Sequence, residues 1–217
     1  MNVRRSVWKQ TALVGILAVI IAFISLCMYN GVRINQDKIS PQVEMFSLGD
    51  TVNLEENFFS DATENPNGYS ITVNSAELVE YVPFLESFGI TTKDFGYTEG
   101  YPAPEYTYLL HVTVANTDNT EGALMAINYA LYDKALKIPV DYSLWSLMDE
   151  GFPGEAGFRL RENSQVDITI PFTPMSLDTA IDNEKLSKRM ENSDFYFCVS
   201  EFPVKKMVLI NQKNYYF

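Results

Sequence analysis

The residues able to do chemistry in this chain are few and scattered. One histidine, His111, stands in the middle of an apolar run, and the two cysteines, Cys27 and Cys198, lie far apart. A serine or cysteine nucleophile usually relies on an imidazole base, and zinc usually takes several His or Cys ligands. One histidine can hardly serve both, so His111 reads as a strand residue. Cys198 lies between Phe197 and Val199, where burial disfavours the thiolate. Carboxylates are abundant. Asp61, Thr63, Asn65 and Asn67 alternate like calcium ligands, but Pro66 holds the sixth position, where such a loop needs glycine, so the segment reads as a turn. Asp118 with Glu121, and Asp149 and Glu150 with Glu155, read as solvated loop charge. A glycosidase-like acid pair can come from anywhere in sequence, and it requires a cleft with a partly buried carboxylate of raised pKa. No catalytic residue, metal or cofactor is expected from these patterns.

The most unusual stretch is 82–105, VPFLESFGITTKDFGYTEGYPAPE. It is long for a connection inside a domain, and such loops tend to be functional or disordered. Five rings, Phe84, Phe88, Phe95, Tyr97 and Tyr101, argue against disorder. Two readings stay open: the rings fold back to cap one end of the domain, or some remain exposed as anchors for a partner. These five are the expected partner-binding residues. Trp145 and Phe152, in another irregular stretch, can join either surface.

The elements that must position these rings are short β signals separated by turn chemistry. Residues 46–54 suggest an opening strand broken at Gly49-Asp50, and Asn65-Pro66-Asn67-Gly68 is a strong turn. Tyr69, Ile71 and Val73 alternate with polar residues, as a half-buried strand should. In 106–116, Tyr106, Tyr108, Leu110, Val112 and Val114 share one face, and the run stops at the strand-breaking Asn116-Thr117-Asp118-Asn119. Segments 123–132, 138–142, 166–172, 195–200 and 205–211 complete the series, while 173–193 lacks alternation and suggests a short helix or a loop. Seven or eight strands without a βαβ rhythm favour an all-β, two-sheet antiparallel β-sandwich.

Ahead of this domain, 23 residues from 10 to 32 carry no charge. Nineteen of them, 11–29, would span roughly 28 Å as a helix, close to the ~30 Å of a bilayer core. Arg4, Arg5 and Lys9 precede the run, which places residues 1–10 in the cytoplasm and the C-terminal domain outside the cell. The absence of paired small residues after the apolar core favours an uncleaved signal anchor over a secretory signal. Leu26 before Cys27 departs from a lipoprotein signal, which leaves lipidation at Cys27 as the alternative. Thr11, Gly15, Ala18, Ala22 and Ser25 fall on one helix face, a stripe suited to a helix partner or a homodimer, although Ala and Gly are frequent in any membrane helix. Residues 30–45 read as a tether and 46–217 as the extracellular sandwich.

The chain has 28 acidic and 16 basic residues, a formal net charge of −12, and its acidic residues all follow the apolar run. That excludes a nucleic-acid footprint and adhesion to anionic headgroups. The anchor, LGDTV at 48–52, YSITVNSAEL at 69–78, YLLHVTVANTDN at 108–119 and FYFCVSEFP at 195–203 together resemble membrane- or lipid-attached envelope proteins of Gram-positive bacteria with an immunoglobulin-like domain of unknown function. The resemblance implies a fold and a location and supplies no catalytic residues. The expected function is a non-enzymatic, membrane-anchored extracellular module that binds an unknown protein or peptide. The alternatives are an accessory subunit acting through its membrane helix and a carboxylate-based envelope hydrolase.

Overall fold

Alternation of apolar and polar residues builds two sheets around one core. The computed structural model describes residues 15, 20–29, 42–59, 64–148, 157, 159–174 and 183–211. The chain divides into two units, Met1–Ser40 and Pro41–Phe217. In the first, Gly15 and residues 20–29 are helical with exposed side chains. Among the described residues no helix is long and apolar enough to cross a membrane. Much of the expected 11–29 span, including Ala18, lies outside the described residues.

The second unit contains nine strands among the described residues: β1 (Gln42–Ser47), β2 (Thr51–Asn53), β3 (Tyr69–Glu80), β4 (Tyr106–Asn116), β5 (Ala130–Tyr132), β6 (Lys137–Pro139), β7 (Ser164–Phe172), β8 (Tyr196–Ser200) and β9 (Val204–Leu209). Three short helices join them, α1 (Tyr81–Glu86), α2 (Tyr142–Met148) and α3 (Asn183–Asn192). One sheet has the order β2-β3-β4-β7 and the other β1-β9-β8-β5-β6. The β3–β4 ladder is long, running from Tyr69↔Asn116 to Glu80↔Tyr106 with a bulge between Val73 and Ser75. Its inward residues Ile71, Val73, Leu110 and Val114 are fully buried. They meet Leu131, Phe197 and Val208 of the other sheet in a single core. Phe172 stands edge-on to Phe197 at 5.7 Å, and Tyr129 edge-on to the same ring at 5.3 Å, so an aromatic cluster ties the two sheets together. Each such ring contributes about 1.5–3 kcal/mol by burial.

The all-β expectation holds at the level of two mostly antiparallel sheets, and three details differ. Among the described residues there are nine strands rather than seven or eight, because Gly49-Asp50 divides the opening stretch into β1 and β2, which belong to different sheets. Gly49 has φ +85°, a backbone that favours glycine, and Asp50 accepts the Ser47 N–H at 2.8 Å to close the turn. The expected antiparallel pattern has one exception: β1 runs parallel to β9, from Gln42↔Val204 to Ser47↔Leu209. β1 also starts inside the stretch expected to be tether, since Glu44 and Phe46 point toward Lys206 and the core. The doubtful segment 173–193 does supply a helix, α3, whose Met190 enters the core and whose Arg189 binds Asp133.

Lys206 is a charge held inside the edge of the sandwich. Its side chain is only 4% exposed, and its ammonium donates to the Asn53 carbonyl and to Glu55, each at 2.6 Å, with Glu44 at 3.8 Å. These contacts join β9 of one sheet to β2 of the other. A buried ammonium is tolerated only when so surrounded.

Candidate functional site

The aromatic stretch is not a single loop. Its first residues form α1, in which Tyr81 and Leu85 are fully buried, and its mouth is closed by the Tyr81 N–H donating to the Glu105 carbonyl at 2.9 Å. Pro83 sits in the first turn, where its missing N–H has no helical partner to lose. The helix ends at Glu86, and the chain turns away at Gly89, with φ +74°. Next comes a tight turn pinned by Asp94, which accepts the Thr91 N–H at 2.9 Å and the Thr91 hydroxyl at 2.7 Å. Those two hydrogen bonds hold the Asp94 carboxyl below its ordinary range. Thr98 and Tyr101 then exchange backbone hydrogen bonds at 2.8 and 3.1 Å, a hairpin that sets Tyr101 beside Tyr97.

The result is an aromatic cap with its own small core. Tyr81, Leu85 and Leu144 of α2 are its buried centre, and Phe84, Phe95 and Tyr97 pack around them half-buried. α2 reaches this cluster because Asp141 caps it, accepting the Leu144 N–H at 2.9 Å. Leu144 faces the cap, while the next residue, Trp145, is buried in the main core. The rings are ordered against one another. Tyr97 stands perpendicular to Tyr81 at 5.7 Å and stacks on Tyr101 at 5.8 Å with 16° between planes. Phe95 stacks on Tyr97 at 6.5 Å, and Phe84 meets Phe88 edge-on at 5.3 Å. The hydroxyls of Tyr81 and Tyr97 are hydrogen-bonded at 3.2 Å. Burial above all, with a smaller contribution from the nearby Asp141 carboxylate, pushes both phenols up, so they are neutral at physiological pH.

The rings of the stretch divide into two groups. Phe84, Phe95 and Tyr97 fold back, whereas Phe88 and Tyr101 remain 38% and 36% exposed. Sequence reasoning missed Tyr81, Leu85, Asp141 and Leu144, which form the base. The signals were present: Tyr81 and Leu85 have helical spacing, and Asp141 precedes apolar Leu144, Trp145 and Met148 as a helix cap should. Trp145 joins the main core, and Phe152 lies outside the described residues. Gly15, Ala22 and Ser25 are helical and exposed, whereas Thr11 and Ala18 lie outside the described residues.

The other candidate groups are placed elsewhere. His111 lies half-exposed on the outer face of the four-stranded sheet, 3.0 Å from the Thr169 hydroxyl and 3.6 Å from Glu77. It belongs to a row of polar cross-strand contacts that includes Thr51 with Thr72 and Asn74 with Thr113, both at 2.9 Å. Cys198 is fully buried, and burial pushes its thiol up to about 11. Both cysteines are free. Asp118 and Glu121 line an open polar pocket of about 200 Å3 with Asn65, Asn67, Asn119 and Thr120. There the Asn119 amide donates to the Asn65 and Asn67 backbone carbonyls at 2.8 and 2.6 Å. A side chain at Gly122 would collide with the Asn65 carbonyl and Asn119, which explains the glycine. Asp61, Asp149, Glu150 and Glu155 lie outside the described residues.

Among the described residues Asp133 is the other carboxylate with a shifted pKa. Burial pushes it up, but the Arg189 guanidinium and the backbone N–H groups of Ala135 and Leu136 outweigh this and hold it low. Both shifted carboxylates thus move opposite to the direction a general acid requires. Among the described residues no cluster of three or more His, Cys, Asp or Glu is arranged to hold a metal ion.

No curated protein and no solved structure gives a significant match to the chain. Residues 43–206 match a protein family, a span that runs from β1 to β9 and includes the aromatic cap. The chain belongs to the family described as Domain of unknown function (DUF5028).

Proposed function

We propose that this chain is a non-enzymatic, single-pass envelope protein of a Gram-positive bacterium, in which an immunoglobulin-like sandwich is held outside the cell by residues 11–29 and binds a protein or peptide through its aromatic cap. The observation that carries the binding role is the division of labour in the cap. Tyr81, Leu85 and Leu144 are wholly buried as a base, yet Phe88 and Tyr101 keep more than a third of their surface in water. Rings fixed by a folded base bind with little loss of side-chain freedom, and aromatic anchors of this kind dominate protein interfaces. The outward orientation rests on the basic residues before an uncharged run and the acidic residues after it.

A photoreactive residue placed at 88 or 101 in intact cells tests the binding role, with position 72 on the outer sheet as the reference. Discrete adducts from the two cap positions and none from 72 are expected. Equal labelling at all three, or none at the cap, overturns the reading. Protease added to whole cells tests the orientation: the C-terminal domain should be degraded, and its survival would contradict an extracellular position.

A further inference from the structure

The charge around the cap is one-sided. Between residues 80 and 105 the carboxylates are Glu80, Glu86, Asp94, Glu99 and Glu105, against the single ammonium of Lys93, and all six are exposed. Asp141 adds its charge beneath Tyr81 and Tyr97. The segment that carries the exposed rings of Phe88 and Tyr101 thus has a net charge of −4, five carboxylates against one ammonium. An aromatic face is itself negative at its centre and attracts cations.

The chain uses this attraction elsewhere. Tyr132 of β5 has the Lys205 ammonium over its ring at 4.6 Å and that of Lys137 at 5.4 Å. At the cap, by contrast, no ammonium of the chain's own lies over a ring among the described residues.

We infer that the aromatic cap binds a segment of a partner protein that presents Lys or Arg side chains, whose cationic groups stack on Tyr101 and Phe88 inside the acidic rim. This rests on the cap being the docking surface and adds the chemistry of what docks. An acidic segment would be repelled by five carboxylates, and a neutral apolar one would leave them desolvated without partners. A cationic segment satisfies rings and carboxylates together.

The test uses the full chain in nanodiscs of zwitterionic lipid, so that peptide cannot bind the membrane by charge. Fluorescein-labelled peptides with five Lys-Ser repeats or five Glu-Ser repeats are titrated by anisotropy at low and high salt. The Lys-Ser peptide should bind at least tenfold more tightly than the Glu-Ser peptide and weaken as salt rises. Tyr101→Ala should weaken it about tenfold and Tyr101→Phe hardly at all, as expected of a ring face. Glu99→Gln should weaken it about threefold, and Glu77→Gln, on the outer sheet face, should leave it unchanged. Indifference to peptide charge, or to Tyr101→Ala, overturns the inference. So does an equal effect of Glu77→Gln, which would reduce the attraction to overall acidity. If the charged peptides fail while adducts at 88 and 101 persist in cells, the cationic partner is wrong and the docking surface stands; if both fail, both are wrong.

Discussion

Leu85→Ala asks whether the cap is a part of the sandwich or a small fold resting on it. Leu85 is fully buried in a cluster with Tyr81 and Leu144, separate from the main core. Removing its side chain there costs about 2–5 kcal/mol, near 3 if the site partly collapses. If that loss were felt by the whole domain, a Tm shift of about 2–4 °C per kcal/mol gives a drop of roughly 6–12 °C. The cap is tied to the sandwich by few bonds, notably Tyr81 N–H to Glu105 O and Asp141 N–H to Pro171 O, both 2.9 Å. We therefore expect the loss to stay local. Hydrogen exchange with mass spectrometry on the full chain should show protection in 81–105 falling about a hundredfold, with β3, β4, β7 and β8 unchanged and the Tm within about 2 °C. A fall of 6–12 °C with uniform loss of protection would refute the separate cap and, with it, the idea that binding can reshape this region without unfolding the domain.

Three further outcomes follow from buried polar groups. The Tyr129 hydroxyl is buried with no hydrogen-bond partner among the described residues, whereas that of Tyr108 donates to Met190 O at 2.7 Å; Tyr129→Phe should leave stability unchanged or raise it by about 1 kcal/mol, and Tyr108→Phe should lower it by about 1 kcal/mol, in chemical denaturation. Arg189→Ala strands the Asp133 carboxylate, whose side chain is 4% exposed, and should cost about 2 kcal/mol near neutral pH, less than a fully buried pair because Arg189 is partly in water. Because Asp133 has a lowered pKa when folded, its contribution is present above the ordinary carboxylate range and lost as pH falls through the folded value, so the deficit of Arg189→Ala should shrink in acid. Finally, with its thiol pushed up to about 11 and buried, Cys198 should resist a thiol reagent at pH 8 until denaturant is added.

The strands were readable because half-buried strands alternate. Tyr108, Leu110, Val112 and Val114 declare one face of β4, and Ile168 and Ile170 one face of β7. What sequence could not give was pairing: nothing in Gln42–Ser47 says that its neighbour is Val204–Leu209, or that it runs parallel to it. The aromatic stretch was conspicuous for its length and rings, but its fate depended on residues remote in sequence. Leu144, which completes the base, lies well beyond Tyr81, and its role comes from the cap that Asp141 provides. Local helix signals in 81–86 and 142–148 were weak because each helix is short and owes its stability to packing rather than to propensity.

The parallel pairing of β1 with β9 has a mechanical corollary. Gln42 lies beside Val204 and Ser47 beside Leu209, so a pull that draws Gln42 away from Leu209 slides the two strands lengthwise past each other. All the hydrogen bonds of that ladder are then strained together instead of opening one after another from an end. A domain tugged from the start of β1 by a load at the far end of β9 would yield only at high force, and single-molecule stretching between these two points should record one tall rupture where pulling across the ladder records a low one.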